Sequence, residues 1–256
     1  FRGFTWSHLR WMFTTFHLGH YQPLSWLTFS LDYLLWGLEP FGYHLTNILL
    51  HSANAVLFYF VSRRLLGRAA PASNSIVLRL AAAFSALLFA IHPLRVESVA
   101  WATERRDVLS GFFLLLTVLS YLKAVGPEMS GTGRHRWIAV SVTFYVLSLL
   151  SKASGMTLPL VLVVLDVYPL RRLGGGMVRW FDPSVRWVWL EKLPFFVAAS
   201  AAGVVALTAQ QRAGALVSTE THDLGGRVAQ SLYGATFYLV KTLLPTNLAP
   251  LSEIPV

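Results

Sequence analysis

The chain has 256 residues, of which 55% are hydrophobic and only 13% are charged, and its mean hydropathy is +0.54. A soluble domain carries about 25% charged residues, so this composition excludes a disordered chain and argues against an ordinary cytosolic enzyme. The chain contains no cysteine, which excludes disulfides, a thiolate nucleophile and cysteine-bound metal. The formal net charge of +9 would indicate nucleic acid in a soluble protein, but a membrane protein also acquires such a charge from its orientation.

Long apolar runs predict an all-α fold in which a bundle of helices crosses a membrane. A crossing helix needs about 20 mostly apolar residues, and six runs without Asp, Glu, Lys or Arg approach that length. Gly155 and Pro159, just after the lone charge of Lys152, favour a tight hairpin between the fourth and fifth runs. The six predicted spans are 40–62, 80–94, 108–122, 137–151, 153–165 and 193–211.

Two further segments predict helices at the membrane surface. Residues 24–36 carry leucines at helical spacing, with Asp32 among them, which is typical of a helix that lies on the bilayer. Residues 228–240 are too short to span alone, and Lys241 and Pro245 follow them. We interpret 228–240 as interfacial or re-entrant, and whether 228–244 crosses the bilayer stays open.

The basic residues indicate which side of the membrane each loop occupies. Twelve of the 21 Lys and Arg residues, against four acidic residues, lie in the three loops 63–79, 123–136 and 166–192. Basic loops remain cytoplasmic, so the net charge reflects topology, and a nucleic-acid partner is not expected. The exoplasmic side then holds 1–39, 92–107, the turn at Lys152 and 212–256.

The exoplasmic loop 92–107 is the densest charged segment, with three acidic and three basic residues. If the loop is helical after Pro93, then Glu97, Trp101 and Glu104 share one face. Carboxylates beside an indole suit a sugar, and the guanidinium fork matches phosphate oxygens. The three guanidinium groups are those of Arg95, Arg105 and Arg106. A self-neutralising interfacial helix with weak ion pairs explains the same residues equally simply.

Lys152 and a polar stripe in the 40–62 span are the other candidate features. A lone lysine between apolar runs needs water or an anion, so an anionic ligand and a snorkelling turn residue both explain it. The stripe favours hydrogen bonds between helices over a metal site, because it lacks a carboxylate at ligand spacing. Its members are His44, Asn47, His51 and Asn54. No metal site is expected.

Four motifs occur in order along the chain. They are YQPLSWLT at 21–28, GYHLTNILLH at 42–51, HPLRVESVA at 92–100 with ERRD at 104–107, and LLSK at 149–152. This order resembles the transmembrane and tetratricopeptide-repeat O-mannosyltransferases, and more closely their bacterial relatives.

The resemblance implies a GT-C-type membrane glycosyltransferase. Such an enzyme moves a sugar, here mannose or another hexose, from a polyprenyl-phosphate donor to a hydroxyl acceptor, here protein Ser or Thr, on the exoplasmic face. The membrane implied is a bacterial inner membrane rather than the endoplasmic reticulum. The lipid-linked sugar is a co-substrate, no other cofactor is implied, and a divalent-cation requirement is left open.

In that class an acidic residue of the first exoplasmic loop serves as the catalytic base. The matching segment is expected upstream of Phe1, so the chain is expected to be a partial domain over 1–256 that is inactive alone. In this view 1–39 is an exoplasmic loop with an interfacial helix, 40–244 holds the membrane helices, and the first span and the C-terminal repeats are missing.

By motif position, the resemblance carries roles onto Glu97, Arg105, Asp107 and Lys152. The candidate catalytic carboxylates within the chain are Glu97 and Asp107. The candidate ligands of the donor phosphate are Arg95, Arg105, Arg106 and Lys152. The candidate substrate-binding residues are His92, Trp101, Glu104 and Tyr21. Two other interpretations stay open, a non-catalytic membrane scaffold and a transporter or flippase for a lipid-linked sugar, in which the polar stripe could line a path.

Overall fold

The computed structural model describes residues 2–174, 180–215, 224–246 and 248. Throughout these ranges the protein consists of α-helices and short 3-10 turns, with no β-strand, which confirms the predicted all-α class. The helices are α1 (Trp6–Thr14), α2 (Pro23–Trp36), α3 (Pro40–Ala69), α4 (Ser75–Ile91), α5 (Val96–Ala100), α6 (Arg105–Ala124), α7 (Gly131–Ser151), α8 (Leu158–Val167), α9 (Arg186–Leu190), α10 (Leu193–Arg212) and α11 (Leu224–Leu243).

Three helices of the described ranges are long and apolar enough to cross a membrane: α3, α6 with the turn before it (Ala102–Ala124), and α10. A fourth crossing is possible if α4 and the segment Pro93–Ala100, bent by 54° against each other, count as one span. The protein is therefore an integral membrane protein, but the predicted number of six spans is not confirmed. The shortfall lies around Lys152, where α7 ends and the next apolar helix, Ala153–Val167, is short.

Several helix starts follow from local chemistry. Pro23, Pro40 and Pro194 lie in the first turns of α2, α3 and α10, where a missing N–H costs no helical hydrogen bond. The side chain of Asn74 accepts a hydrogen bond from the Ile76 N–H at 2.8 Å and so caps α4. A helix is present over the predicted segment 24–36, as α2 (Pro23–Trp36).

Helix α6 packs between α3 and α7, and small polar residues line its contact with α7. The Ser110 and Ser148 hydroxyls lie 2.8 Å apart, and the Ser141 hydroxyl donates to the Thr117 carbonyl at 2.8 Å. Small residues of this kind let helix backbones approach closely and bond across a membrane interface. An apolar core lies beside this contact, where α6, α7, α8 and α10 meet around Tyr121, Tyr145, Leu162 and Phe195.

The polar stripe of α3 forms hydrogen bonds to neighbouring segments, as predicted. The bonds join Asn54 to the Val108 carbonyl (2.8 Å), His51 to the Ala90 carbonyl (2.9 Å), and Asn47 to the Val99 and Trp101 carbonyls (3.2 and 3.0 Å). The fourth member, His44, is exposed. The stripe therefore holds the charged loop 92–107 against α3.

The condition under which Glu97, Trp101 and Glu104 would share a face, a continuous helix after Pro93, is not met. The loop contains the 3-10 turn Pro93–Arg95, then α5, then the 3-10 turn Ala102–Glu104. Trp101 has an extended backbone, with φ −85° and ψ 119°, and its carbonyl accepts a hydrogen bond from the Asn47 amide. Because the helix ends there, Glu97, Trp101 and Glu104 do not share a helical face.

Candidate functional site

Four charged side chains form a cluster, here called the rim cluster, where the loop 92–107 meets the end of α7. The ammonium of Lys152 pairs with the carboxylate of Asp107 and lies 3.5 Å from Glu104. Arg106 binds Glu104 at 2.5 Å, and the Ser98 hydroxyl donates to Asp107 at 3.2 Å. Four of the predicted site residues, from segments 45 positions apart, are thus brought together in space.

The position of Lys152 is fixed by hydrogen bonds to the residues before and after it in the chain. Helix α7 ends at Ser151, and the Ser151 carbonyl accepts a hydrogen bond from the Ser25 hydroxyl of α2 at 3.1 Å. After Lys152, the Gly155 carbonyl accepts from the buried Tyr145 hydroxyl at 3.1 Å. The extended backbone of Lys152 therefore lies between two anchored residues, and its side chain is directed by the turn rather than by a helix.

A first cavity of about 410 Å³ opens beside the rim cluster. Its polar end is formed by His20, Tyr21, Arg106 and Lys152. Its wall is apolar and comes from α7 and α10, including Leu149, Leu150, Ala201, Ala202 and Val205. The cavity therefore combines two fixed cations with a surface that suits hydrocarbon.

A second cavity of about 600 Å³ lies on the other side of Asp107. Its polar lining includes His92, Arg95, Ser98 and Asp107, and its apolar lining includes Phe58, Phe89 and Leu114. The Arg95 guanidinium lies 4.9 Å from the centre of the Phe89 ring, and the His92 ring bonds the Thr242 carbonyl of α11 at 3.0 Å. The predicted residues Arg95 and His92 thus belong to a different cavity from Arg106 and Lys152.

Arg105 points away from both cavities into the protein. Its side chain is fully buried and forms an ion pair of 2.6 Å with Asp32 of α2. It also donates to the Asn47 side chain at 2.5 Å and to the Tyr43 carbonyl at 2.8 Å. The guanidinium is occupied by neighbours from α2 and α3, so the phosphate role predicted for Arg105 rests on the sequence alone.

The remaining predicted residues stand apart from the rim cluster. Glu97 is exposed on α5, and Trp101 is 48% exposed. Tyr21 lines the first cavity and donates its hydroxyl hydrogen to the Phe13 carbonyl at 3.0 Å.

Two aromatic groups at the mouth of the first cavity have shifted pKa values. Burial lowers the pKa of His20 below its ordinary 6.5, and the positive charges of Arg106 and Lys152 lower it further, while Glu104 opposes the shift. Burial raises the pKa of the Tyr21 phenol. Both groups are therefore neutral at pH 7, and the charge at this end of the cavity comes from Arg106 and Lys152.

Sequence reasoning missed the acid that binds Arg105. Asp32 is 2% exposed and accepts a hydrogen bond from the Thr46 hydroxyl at 2.8 Å in addition to its ion pair. The available signal was that Asp32 is the one charged residue of α2. Its partner could not be read from spacing, because 73 positions separate Asp32 from Arg105.

A second buried network lies at the opposite end of α6. The Tyr121 hydroxyl donates to Asp166 at 2.6 Å and accepts from Arg172 at 2.7 Å, and Lys192 pairs with Asp166. Arg172 continues to Glu191 at 2.6 Å. The signal in the sequence was a set of charges close to the ends of apolar runs, with Asp166 directly after 153–165 and Lys192 directly before 193–211.

No group of three or more His, Asp or Glu side chains that could hold a metal ion occurs within the described ranges. The fold and the site together define the class of protein: an all-helical integral membrane protein with a charged rim cluster and an amphipathic cavity at one end of its bundle.

Comparison with known proteins adds the family to which this chain is similar. It is 38% identical to protein O-mannosyl-transferase Tmtc3 of Drosophila melanogaster, 37% to tmtc2 of Xenopus laevis and 38% to TMTC4 of Homo sapiens. The alignments cover 60%, 60% and 57% of this chain, but only 18%, 17% and 21% of those proteins, so the chain spans about a fifth of the length of these relatives. No known family profile matches the chain, and no solved structure matches it. The similarity supports the resemblance predicted from the four ordered motifs.

Proposed function

We propose that the chain is part of a GT-C-type membrane glycosyltransferase that uses a polyprenyl-phosphate sugar and modifies protein Ser or Thr on the exoplasmic face. The observation that carries the proposal is the first cavity, where two cations lie next to an apolar wall. The names of the animal relatives as protein O-mannosyl-transferases support mannose as the sugar and a protein as the acceptor. We place the enzyme in a bacterial inner membrane, following the sequence resemblance.

The donor phosphate fits the polar end of the first cavity. Arg106 and Lys152 present N–H donors there, and charge-assisted bonds to phosphate oxygens are among the strongest that proteins form. The polyprenyl chain would lie along Leu149, Leu150 and the small residues of α10, with the headgroup at the rim cluster. Arg105 is not assigned to this role, because its side chain is fully buried and lines neither cavity.

The proposed reaction is a single displacement at the sugar. A carboxylate accepts the proton of the acceptor hydroxyl, and the hydroxyl oxygen forms a bond to the anomeric carbon. The bond from that carbon to the phosphate oxygen breaks, and its electron pair leaves with the lipid phosphate. Arg106 and Lys152 stabilise the charge that the phosphate gains in the transition state. Asp107 and Glu97 are the candidate carboxylates on this chain.

The test is a transfer assay on the complete protein in proteoliposomes, with radiolabelled polyprenyl-phosphate mannose and an acceptor peptide. Arg106→Gln is expected to raise the KM for the lipid donor by about 10-fold or more, because a hydrogen bond to a charged group is worth about 1.5–3 kcal/mol. The acceptor KM should change much less.

Arg136→Gln is the matched control, because Arg136 is exposed near the start of α7, at the far end of that helix from Lys152. Wild-type transfer by Arg106→Gln and by Lys152→Gln would contradict the assignment of the donor site. Absence of any transfer by the complete wild-type protein, together with a normal fold, would favour the scaffold interpretation instead.

A further inference from the structure

A cleft of about 360 Å³ lies at the end of the bundle opposite the rim cluster, between the end of α3 and the link from α6 to α7. Helix α6 begins at Arg105 and ends at Ala124, so about 30 Å of helix separates the two ends. The cleft is lined by four cations, and the proposed transfer reaction uses none of them. These cations are Arg63, Arg64, Arg68 and Lys123.

The charge in this cleft is unbalanced, in contrast to the other charged groups of the bundle. The rim cluster and the Tyr121 network each contain two carboxylates beside their cations. Glu128 is the one acidic residue that lines the cleft, and among the described residues it forms no salt bridge with any of the four cations. Arg64 and Arg68 stand four positions apart on α3, where like charges destabilise a helix.

Two of the cations are held in place by contacts that leave their charge uncompensated. The Arg64 guanidinium donates to the Leu119 carbonyl at 3.0 Å. The Lys123 ammonium lies 3.9 Å from the centre of the Trp137 ring. A carbonyl and an aromatic face orient a cation without neutralising it, so an anion entering the cleft meets preplaced donors.

The other two arginines, Arg63 and Arg68, line the same cleft beside the link between α6 and α7. Arg68 lies against this link, because a Cβ atom built on Gly126 would be in ordinary van der Waals contact, at 3.7 Å, with one of its terminal nitrogens. Arg63 and Arg68 are exposed, and the structure shows no carboxylate paired with either within its described ranges.

We propose that this cleft binds the phosphate headgroup of an anionic phospholipid. Four cations around one carboxylate fit a phosphate, for which the arginine fork provides paired donors. The cleft lies at the end of α3, a helix long and apolar enough to cross the membrane, and lipid headgroups border the ends of a spanning helix. Basic pockets between transmembrane helices are a recognised mode of binding anionic headgroups. The proposal does not depend on the transfer reaction.

The test compares the complete protein with the double variant Arg63→Gln, Arg68→Gln, purified in a neutral detergent. Native mass spectrometry measures retention of added phosphatidylglycerol, with phosphatidylcholine as the neutral lipid. We expect wild-type protein to retain phosphatidylglycerol preferentially and the double variant to bind it about 30-fold more weakly, since each cation near a membrane surface contributes about a 5-fold effect. Transfer activity should not change.

Three further arms decide between explanations. Arg136→Gln removes a cation outside the cleft and should leave the retention of phosphatidylglycerol unchanged. The double variant Arg63→Lys, Arg68→Lys keeps both positive charges and should retain most of the phosphatidylglycerol that the wild type retains. Equal retention by the wild type and the double variant would overturn the proposal. Inorganic phosphate that displaces phosphatidylglycerol at micromolar concentration would overturn the lipid assignment and indicate a soluble phosphate compound instead.

Discussion

Lys152 and Asp107 form an ion pair that separates two cavities, because the lysine lines the first cavity and the aspartate lines the second. Each side chain is 30% exposed. Ion pairs in that environment contribute about 0–1 kcal/mol to stability. The arrangement therefore contributes little to holding the bundle together, and its consequence is to present a cation to one cavity and a carboxylate to the other.

A double-mutant cycle tests this division of roles. Lys152→Met, Asp107→Asn and the double variant are expected to show a coupling energy of about 1 kcal/mol or less in thermal unfolding of the detergent-solubilised protein. Lys152→Met should nevertheless weaken binding of a polyprenyl phosphate. A coupling energy above about 2 kcal/mol would mean that the pair is chiefly structural.

Arg105 and Arg106 are neighbours in sequence, but they are expected to respond in opposite ways to substitution. Removing one partner of a buried ion pair costs about 3–5 kcal/mol, because the other charge is left buried and unpaired. Arg105→Gln and Asp32→Asn should each lower the melting temperature strongly. Arg106→Gln, whose partner Glu104 is only partly buried, should change stability by about 1 kcal/mol or less.

The measurement is thermal unfolding of each variant in the same detergent. Asp32→Asn is informative in its own right, because Asp32 lines neither cavity and has no proposed contact with substrate. Wild-type stability of Arg105→Gln, combined with a raised donor KM, would restore the phosphate role that the sequence predicted for Arg105.

The all-helical fold class and the rim cluster were predictable, because both depend on patterns that are local in the sequence. Apolar runs indicate helices directly, and the basic loops placed residues 92–107 and Lys152 on one side, where the structure brings Asp107 and Lys152 together. The polar stripe on α3 was correctly read as hydrogen bonding. Each of these inferences needs only the period of a helix or the sign of the net charge of a loop.

What the sequence did not show depends on which distant residues meet. Nothing in the spacing pairs Asp32 with Arg105 or Lys192 with Asp166, since such contacts arise only when helices pack. The break at Trp101 was missed for the same reason, because the donor that satisfies its carbonyl is Asn47, which lies on another helix. The six predicted spans are not confirmed, because three helices of the described ranges, or four with the bent pair, are long and apolar enough to cross a membrane.

Gly42 tests the packing of α2 against α3. A Cβ atom at Gly42 would lie 2.1 Å from the Trp36 ring, a distance that requires the ring or the helix to move. Gly42→Ala is therefore expected to destabilise the protein by about 1–3 kcal/mol, the usual cost of overpacking.

Gly67→Ala is the matched control for that substitution, because Gly67 lies in the same helix and a Cβ there meets no atom within 4 Å. In this open position alanine should be neutral or stabilising by about 0.5–1 kcal/mol, as expected for helix propensity. Melting temperatures of the two variants in one detergent decide the point. Equal effects of the two substitutions would show that Trp36 does not pack against α3 as described.

His20 provides a pH-dependent readout of the charges at the first cavity. Burial lowers its pKa below 6.5, and repulsion by Arg106 and Lys152 adds to the shift. A histidine whose pKa is lower in the folded state binds a proton less tightly there than in the unfolded chain, so its contribution to stability is complete above pH 6.5 and is lost as the pH falls below it. His20→Asn should remove this part of the acid sensitivity.

The pKa itself can be measured by a pH titration of ring-labelled histidine followed by NMR, with His20→Asn used to assign the signal. Lys152→Met removes one of the two repelling charges, so it should raise the pKa of His20 toward 6.5. Arg136→Gln, which removes a positive charge far from the cavity, should leave the titration unchanged. If Lys152→Met lowered the pKa of His20 or left it unaltered, the ammonium would not lie where it can act on His20. The proposed donor site would then lose one of its two cations.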